Sequence, residues 1–377
     1  MSGGNDQRMR RIEDIALIIF FLAALALPVV GLALGFDPGR AHKENRVLAP
    51  FPPVSLKRHV LGSFPEKFRA YFEDHFGFRN MLIEWQAKVK VKWLGVSSSK
   101  RVILGKDGWL FQPPYDNSLE WYRGPRPLTV AELAQWQRVL KARRDWLAER
   151  GIRYIFVIAP EKHTIYPEYV PEAFRRMQEV SRLEQLVRYM KEHSDVEILD
   201  LRQPLMEAKG RERLYHRTDS HWNEYGAFIG YQAIAAELMK ASAQIQPLAE
   251  SDFELVREQK KEMDLAAQLG LDDVLSEENL RMRPRRASLE FRLNPDIKYV
   301  VSDGKETRLP RVVMFRDSFA NNLIPFLDHH FSRAVYVWNY GLDTALIETE
   351  RPQFVIQEVV ERYLLNAPPQ NPLVLQE

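Results

Sequence analysis

Two short stretches of the sequence carry residue types suited to nucleophilic catalysis: Arg-Thr-Asp-Ser-His-Trp-Asn at 217–223 and Val-Val-Met-Phe-Arg-Asp-Ser-Phe at 312–319. A serine hydroxyl is a poor nucleophile until a histidine takes its proton. The histidine does this well only when a carboxylate fixes its tautomer and stabilises the imidazolium. Asp219, His221 and Ser318 offer these three groups. Asp219 and His221 stand two apart, and in an extended backbone residues i and i+2 project from the same face. Ser318 follows an apolar run and precedes a segment with helical character up to Pro325, so it should sit at a strand-to-helix junction, where its backbone N–H can help form an oxyanion hole. Each stretch also has a purely structural explanation. Asp317 and Ser318 are common helix N-caps; so are Asp219 and Ser220, ahead of a helix expected over residues 224–240, and His221 could be a satisfied surface or core histidine.

The elements that must position these residues alternate. Thr129 can cap a helix running through Glu149, with Glu132 as the reciprocal capping partner and Gly151 as its stop. Short apolar runs at 152–158, 196–199, 312–315, 334–338 and 354–360 alternate with helical segments, the pattern of an α/β fold whose doubly wound parallel sheet has helices on both faces. Gly-Lys-Asp-Gly at 105–108 predicts a tight turn entering a strand. At about 251–292 charges crowd together, which predicts a helical insertion over the site, or else a solvated excursion without function.

With 45% hydrophobic residues, a chain of 377 residues has ample material for a core. Its 53 basic and 51 acidic side chains form no long basic stripe, which argues against a nucleic-acid partner. Residues 15–35 carry no charge and are long enough as a helix to cross the hydrocarbon layer. Arg8, Arg10 and Arg11 precede this run, so residues 1–14 should stay in the cytoplasm. The expectation is a single-pass anchor with the remainder exported, in a bacterium an inner-membrane anchor with a periplasm-facing or outward-facing domain. A cleavable signal peptide is the competing account. Residues 36–63 read as a breaker-rich linker, leaving 64–377 as the catalytic domain.

Other candidates are weaker. Lys162 and Tyr166 lie on the loop after an expected strand and could face the site. The HExxH, P-loop and GxGxxG patterns are missing, there is no cysteine, and Asp328-His329-His330 trails a short helix, so neither a metal nor a cofactor is expected.

In order along the chain, Glu44-Asn45-Arg46, Asp74-His75-Phe76-Gly77-Phe78-Arg79, Gly108-Trp109-Leu110-Phe111, Pro160-Glu161-Lys162 with Tyr166-Pro167, Asp219-Ser220-His221-Trp222-Asn223, Asp317-Ser318-Phe319 and Glu361-Arg362-Tyr363-Leu364 resemble the alginate O-acetyltransferase family of AlgJ/AlgX type. The resemblance implies an SGNH-hydrolase-like domain with permuted motif order, Asp-x-His coming before the serine. By motif it implies Ser318 as nucleophile, His221 as general base and acid, and Asp219 as the orienting carboxylate. It also implies a polysaccharide acceptor, a periplasmic setting and a separate multispanning membrane acyltransferase as acetyl supplier. Arg316 stands where the glycine of a GDS-type serine motif is expected, which leaves the second oxyanion donor open; Arg316 itself is a candidate, with Lys162 and Tyr166. The chain ends soon after the α/β domain, so a carbohydrate-binding module is not expected, and with its N-terminal anchor it is more similar to the AlgJ branch than to AlgX.

The resulting expectation is a polysaccharide O-acetyltransferase working through an acetyl-serine. An acetyl-esterase using the same three residues is one rival. Another is a non-catalytic tethered scaffold that binds polysaccharide or a partner through exposed aromatics among Trp109, Trp121, Tyr122 and Trp338.

Overall fold

The computed structural model describes residues 3–35, 48–53, 58–113, 126–174, 180–285, 299–304 and 306–369. Two compact units are distinguished, Met1–Ser98 with Leu269–Leu271, and Ser99–Gln268 with Asp272–Glu377. The Glu44-Asn45-Arg46 motif and most of the expected linker lie outside the described residues.

In the first unit a helix spans Gly3–Ala33, and its stretch Arg11–Ala33 is long and apolar enough to cross a membrane. The Gly77 N–H donates to the Pro28 carbonyl at 2.9 Å. The approach is so close that a Cβ on Gly77 would fall 2.4 Å from Gly31 Cα, so only glycine fits there. A second helix, Arg58–His75, begins within the range expected to be linker. A third, Arg79–Lys88, continues into a π-helical turn at Val89–Trp93.

The second unit opens with a two-stranded antiparallel ribbon, β1 (Ile103–Leu104) and β2 (Leu110–Phe111), joined by the expected tight turn, in which Asp107 and Gly108 have φ of 53° and 77°. The central sheet contains β3 (Arg153–Ala159) and β4 (Ile198–Asp200). A separate antiparallel pair follows, β5 (Phe253–Lys260) and β6 (Glu277–Pro284). The chain then returns to the central sheet with β7 (Tyr299–Asp303), β8 (Arg311–Arg316), β9 (Arg333–Trp338) and β10 (Phe354–Val360). The spatial order is β4-β3-β10-β8-β9-β7, parallel throughout except for the antiparallel edge strand β7.

Alternation along the strands builds two cores. Ile155, Val157, Val312, Met314 and Ile356 face the Glu224–Ala241 helix side, while Tyr154, Phe156, Val313, Phe315 and Val355 face the side of the Val130–Ala148 and Arg182–His193 helices. Helices therefore cover both faces, as in the doubly wound fold expected from the sequence. The Thr129–Glu132 capping box is present, and Gly151 ends that helix turn at φ 70°.

The segment at 251–292 departs from expectation. Its core is the β5–β6 pair with only a short helix, Asp264–Leu269, between the strands. The charges that suggested a helix instead alternate along paired strands, where Arg257 meets Glu278 at 2.9 Å across the ladder and Arg281 approaches Glu258 at 3.7 Å. Residues 286–292 lie outside the described residues.

Candidate active site

Three neighbouring central strands end side by side, and a chemically active side chain follows two or three residues beyond each carboxyl end: Lys162 after β3, Arg362 after β10 and Ser318 after β8. This edge is where open α/β sheets place ligands. Ser318 starts the short 3₁₀ turn Ser318–Asn322, and the cap is Asp317, whose carboxylate accepts from the Phe319 N–H at 2.8 Å. With Asp317 capping, the serine hydroxyl is left free for another partner.

That partner arrives on the loop of residues 216–221. The loop is pinched shut by the His216 N–H donating to the His221 carbonyl and the Asn223 N–H donating to the Leu214 carbonyl, at 3.2 and 2.9 Å. Asn223 caps the Glu224–Ala241 helix through Gly226 N, so neither Asp219 nor Ser220 serves as the cap. Gly226 is required, because a Cβ there would lie 2.1 Å from the Leu214 carbonyl oxygen. Asp219 Oδ1 accepts from both the backbone N–H and Nδ1 of His221, at 2.9 and 2.7 Å, and His221 Nε2 lies 2.8 Å from Ser318 Oγ. The structure thus brings Asp219, His221 and Ser318 into one hydrogen-bonded chain across 97 residues of sequence separation. Two cross-braces hold the segments together: Trp222 Nε1 donates to the Phe319 carbonyl at 3.0 Å, and Asn322 Nδ2 to the Trp222 carbonyl at 3.1 Å.

The His221 side chain remains 26% exposed, enough for a ligand to reach it. Burial opposes its charge, but the hydrogen bond and charge of Asp219, with the charge of Asp264, raise its pKa above the ordinary value. Burial alone would raise Asp219; the bond to His221 and the charges of His221 and His216 instead hold it well below the usual carboxylate range. A histidine carrying Nδ1–H toward Asp219 leaves Nε2 able to accept the serine proton.

Sequence reasoning missed Asp264 and Glu277, both carried by the segment around β5 and β6. Asp264 accepts from the Ser220 N–H at 2.7 Å and pairs with the Ser220 hydroxyl, and its carboxylate comes within 3.8 Å of His221 Nδ1. Its own N–H donates to Asp219 Oδ2 at 3.0 Å. Burial and the Asp219 charge push its pKa up. Glu277 accepts the N–H groups of Arg217 and Thr218 at 2.6 and 3.3 Å and meets His216 Nδ1 at 3.0 Å. The charge crowding at 251–292 was the only available signal for these two, and it did not single them out. Ligand atoms of Asp219, His221 and Asp264 lie within 4.8 Å of one another, yet the hydrogen bonds just described already use them.

Lys162, Tyr166 and Arg316 do not face the site as expected. Lys162 is buried, and its Nζ donates to the carbonyls of His216, Arg217 and Asp219 at 3.1, 3.2 and 2.6 Å, so it clamps the histidine loop. Burial lowers its pKa to about 8, against the opposing charges of Asp219, Asp264, Glu277 and Glu161. Tyr166 is buried against Trp109, and its hydroxyl accepts from Leu214 N at 2.9 Å. Arg316 is fully buried; Nη1 donates to Asp317 O and Asn321 Oδ1 at 3.2 and 2.5 Å, and the guanidinium lies over Trp338. A buried group of this kind braces the serine turn rather than meeting a ligand.

Arg362 belongs to the Glu361-Arg362-Tyr363-Leu364 motif. It pairs with Glu161, donates to Gln112 Oε1 at 2.9 Å and lies over the Phe319 ring, while its Nη2 has no hydrogen-bond partner among the described residues. Beneath the serine, Asp317 N donates to Glu358 Oε2 at 3.1 Å, and burial pushes both carboxyls up in pKa. Of the aromatics offered for a scaffold, Trp109 is core, Trp338 is partly exposed, and Trp121 and Tyr122 lie outside the described residues. Asp328 accepts from Ser302 Oγ at 2.8 Å, and the buried His330 ring bonds Tyr231 at 2.7 Å, which ties the Asp328–His330 turn into the core.

Comparison with known proteins is decisive at the family level. The family described as SGNH hydrolase-like domain, acetyltransferase AlgX, matches residues 102–346, well over half of the sequence. The chain belongs to this family. Among relatives, a probable alginate O-acetylase AlgJ of Pseudomonas putida is 30% identical over 141 residues, covering 37% of this chain and 34% of that protein. The chain thus spans about a third of that relative's length in the match. A probable alginate O-acetylase AlgJ of Azotobacter vinelandii is 24% identical over 325 residues, covering 80% of this chain and 79% of that protein. The solved structure of Bacillus cereus PatB1 with a sulfonyl adduct aligns with a TM-score of 0.52 at 16% identity, covering 71% of this chain and all of that one, and so shares the fold.

Proposed function

We propose that this chain is a polysaccharide O-acetyltransferase acting outside the cytoplasmic membrane, with Ser318 as nucleophile, His221 as general base and acid, and Asp219 as the carboxylate that orients it. The supporting observation is the unbroken hydrogen-bond chain from Asp219 Oδ1 through His221 to Ser318 Oγ, together with family membership.

Ser318 Oγ attacks the acetyl carbonyl of an ester donor while its proton passes to His221 Nε2. The tetrahedral intermediate collapses, the donor's alkoxide leaves with the proton from Nε2, and acetyl-Ser318 remains. A sugar hydroxyl then gives its proton to Nε2, attacks the acetyl carbon, and its own intermediate collapses to acetylated sugar as Ser318 recovers the proton. Asp219 stays ionised throughout and stabilises the imidazolium. Arg362, with Nη2 unpartnered and a charge that acts on His221 and Asp317, is the positive group available to the developing oxyanion.

The anchoring reading rests on the Arg11–Ala33 helix and on the three arginines at its start. On this reading the amino terminus stays in the cytoplasm and the Ser318 unit is exported to the periplasm, where a separate multispanning acyltransferase supplies the acetyl group.

The test is Ser318→Ala in the full chain, assayed with an artificial acetyl ester and an oligosaccharide. Loss of acetyl-sugar formation is expected; undiminished transfer overturns the mechanism. Free acetate alone from the native chain, with oligosaccharide present, would identify an esterase instead.

A further inference from the structure

We propose that the face formed by the Arg79–Lys88 helix and the Val89–Trp93 turn lies on an anionic phospholipid bilayer surface, beside the point where the N-terminal helix leaves the membrane. This rests on the reading of that helix as a membrane span.

Three observations within the first unit support it. Position comes first. Gly77, two residues before this helix, is hydrogen-bonded to Pro28 and packed on Gly31, near the end of the apolar run at 15–35. These contacts lie about 6–10 Å along the helix short of Gly35, so a segment starting there begins just beneath the headgroups if the apolar run spans the bilayer. Composition comes second. Leu82, Trp85, Trp93, Leu94 and Val96 are all exposed, with Trp85 61%, Trp93 79% and Leu94 64% accessible. Tryptophan suits the membrane interface, where one edge of the ring meets lipid and the N–H meets water. Charge comes third. Residues 79–98 hold four basic groups, Arg79, Lys88, Lys90 and Lys92, against one acid, Glu84, although the whole chain is nearly neutral at +2. Lysines among exposed apolar side chains can lay their methylene stems along them and raise their ammonium groups to lipid phosphates.

The chain contains no cysteine, so single labels can be placed cleanly. The full chain carrying Leu82→Cys or Leu94→Cys, each labelled with bimane, is reconstituted in phosphatidylcholine vesicles with or without phosphatidylglycerol. Resistance to carbonate extraction tests the anchor separately: release would remove the anchoring reading and this proposal with it. In the retained chain, both labels should be quenched strongly by headgroup-proximal nitroxide lipid and weakly by aqueous iodide. Omitting phosphatidylglycerol, or replacing Lys88, Lys90 and Lys92 with Gln, should raise iodide quenching severalfold. Iodide quenching equal to or above lipid quenching in the carbonate-resistant chain overturns the proposal. Protection from both quenchers overturns it as well, because protein would then cover the face.

Discussion

Lys162 and Asp219 meet through a main-chain carbonyl: the lysine Nζ donates to Asp219 O at 2.6 Å, while the Asp219 carboxylate turns away to His221. A buried ammonium has three N–H groups, and here each has a carbonyl, from residues 216, 217 and 219. The opposite side of the same loop gives its N–H groups to Glu277 and Asp264. The loop that aims His221 is therefore fixed by charged side chains on both flanks.

Lys162→Met should lower kcat about 10–100-fold with little change in KM, since it leaves three carbonyls unsatisfied and lets the imidazole drift from Ser318. The native chain should also lose activity as pH passes about 8, where the amine becomes neutral and keeps two N–H groups for three acceptors. Stability should respond oppositely at this group. Its folded pKa lies below the unfolded value of about 10.4, so the cost of burying charge is relieved as pH rises between the two. Parallel rate and unfolding measurements from pH 7 to 10 check both signs.

Asp264→Asn removes a negative charge that helps to raise the His221 pKa. The acidic limb of kcat/KM should move to lower pH, and the rate at neutral pH should fall by roughly 10-fold as Ser220 loses one of its two acceptors on residue 264. An unmoved acidic limb would mean that Asp264 does not act on the base.

Arg362→Gln should have the opposite effect on that limb, because the Arg362 charge lowers the His221 pKa. The limb should move to higher pH, and kcat should fall about 100-fold if the guanidinium meets the oxyanion. Arg362→Lys keeps the charge and should restore the limb while recovering only part of the rate.

Glu358→Gln should stabilise the protein at neutral pH. Burial and the neighbouring Asp317 hold the Glu358 carboxyl well above its ordinary pKa, so the folded chain keeps a proton there that the unfolded chain releases. A penalty therefore builds as pH rises from about 4 toward the raised folded value, and the neutral amide avoids it. An increase in Tm of roughly 2–4 °C at pH 7, vanishing near pH 4, is expected in thermal unfolding.

The sheet was legible because its central strands are buried on both sides and appear as apolar runs; Phe354–Val360 was located to the residue. Edge strand β7 was not, since its apolar run is only Tyr299-Val300-Val301, shorter than those of the buried strands, and Tyr299 and Val301 are exposed. Asp219, His221 and Ser318 could be picked out from their types and from the turn and loop settings that carry them. Asp264 could not: its role comes from a backbone N–H on a neighbouring loop, and no local spacing encodes that contact. Lys162 was found for the wrong reason. Its position after β3 was correct, but only the folded structure reveals three inward carbonyls waiting for it.

The last strand described, β10, lies between β3 and β8, joined to both by parallel ladders. A chain growing from its amino end therefore makes the two flanking strands first and the middle one afterwards. Until Phe354–Val360 slots in, β8 has no β3-side neighbour, and the turn bearing Ser318 lacks the Val360 N–H that anchors Asp317 at 2.8 Å. On the proposed mechanism, acyl transfer therefore waits for this final wedge, because the support beneath the serine turn is incomplete until β10 is in place.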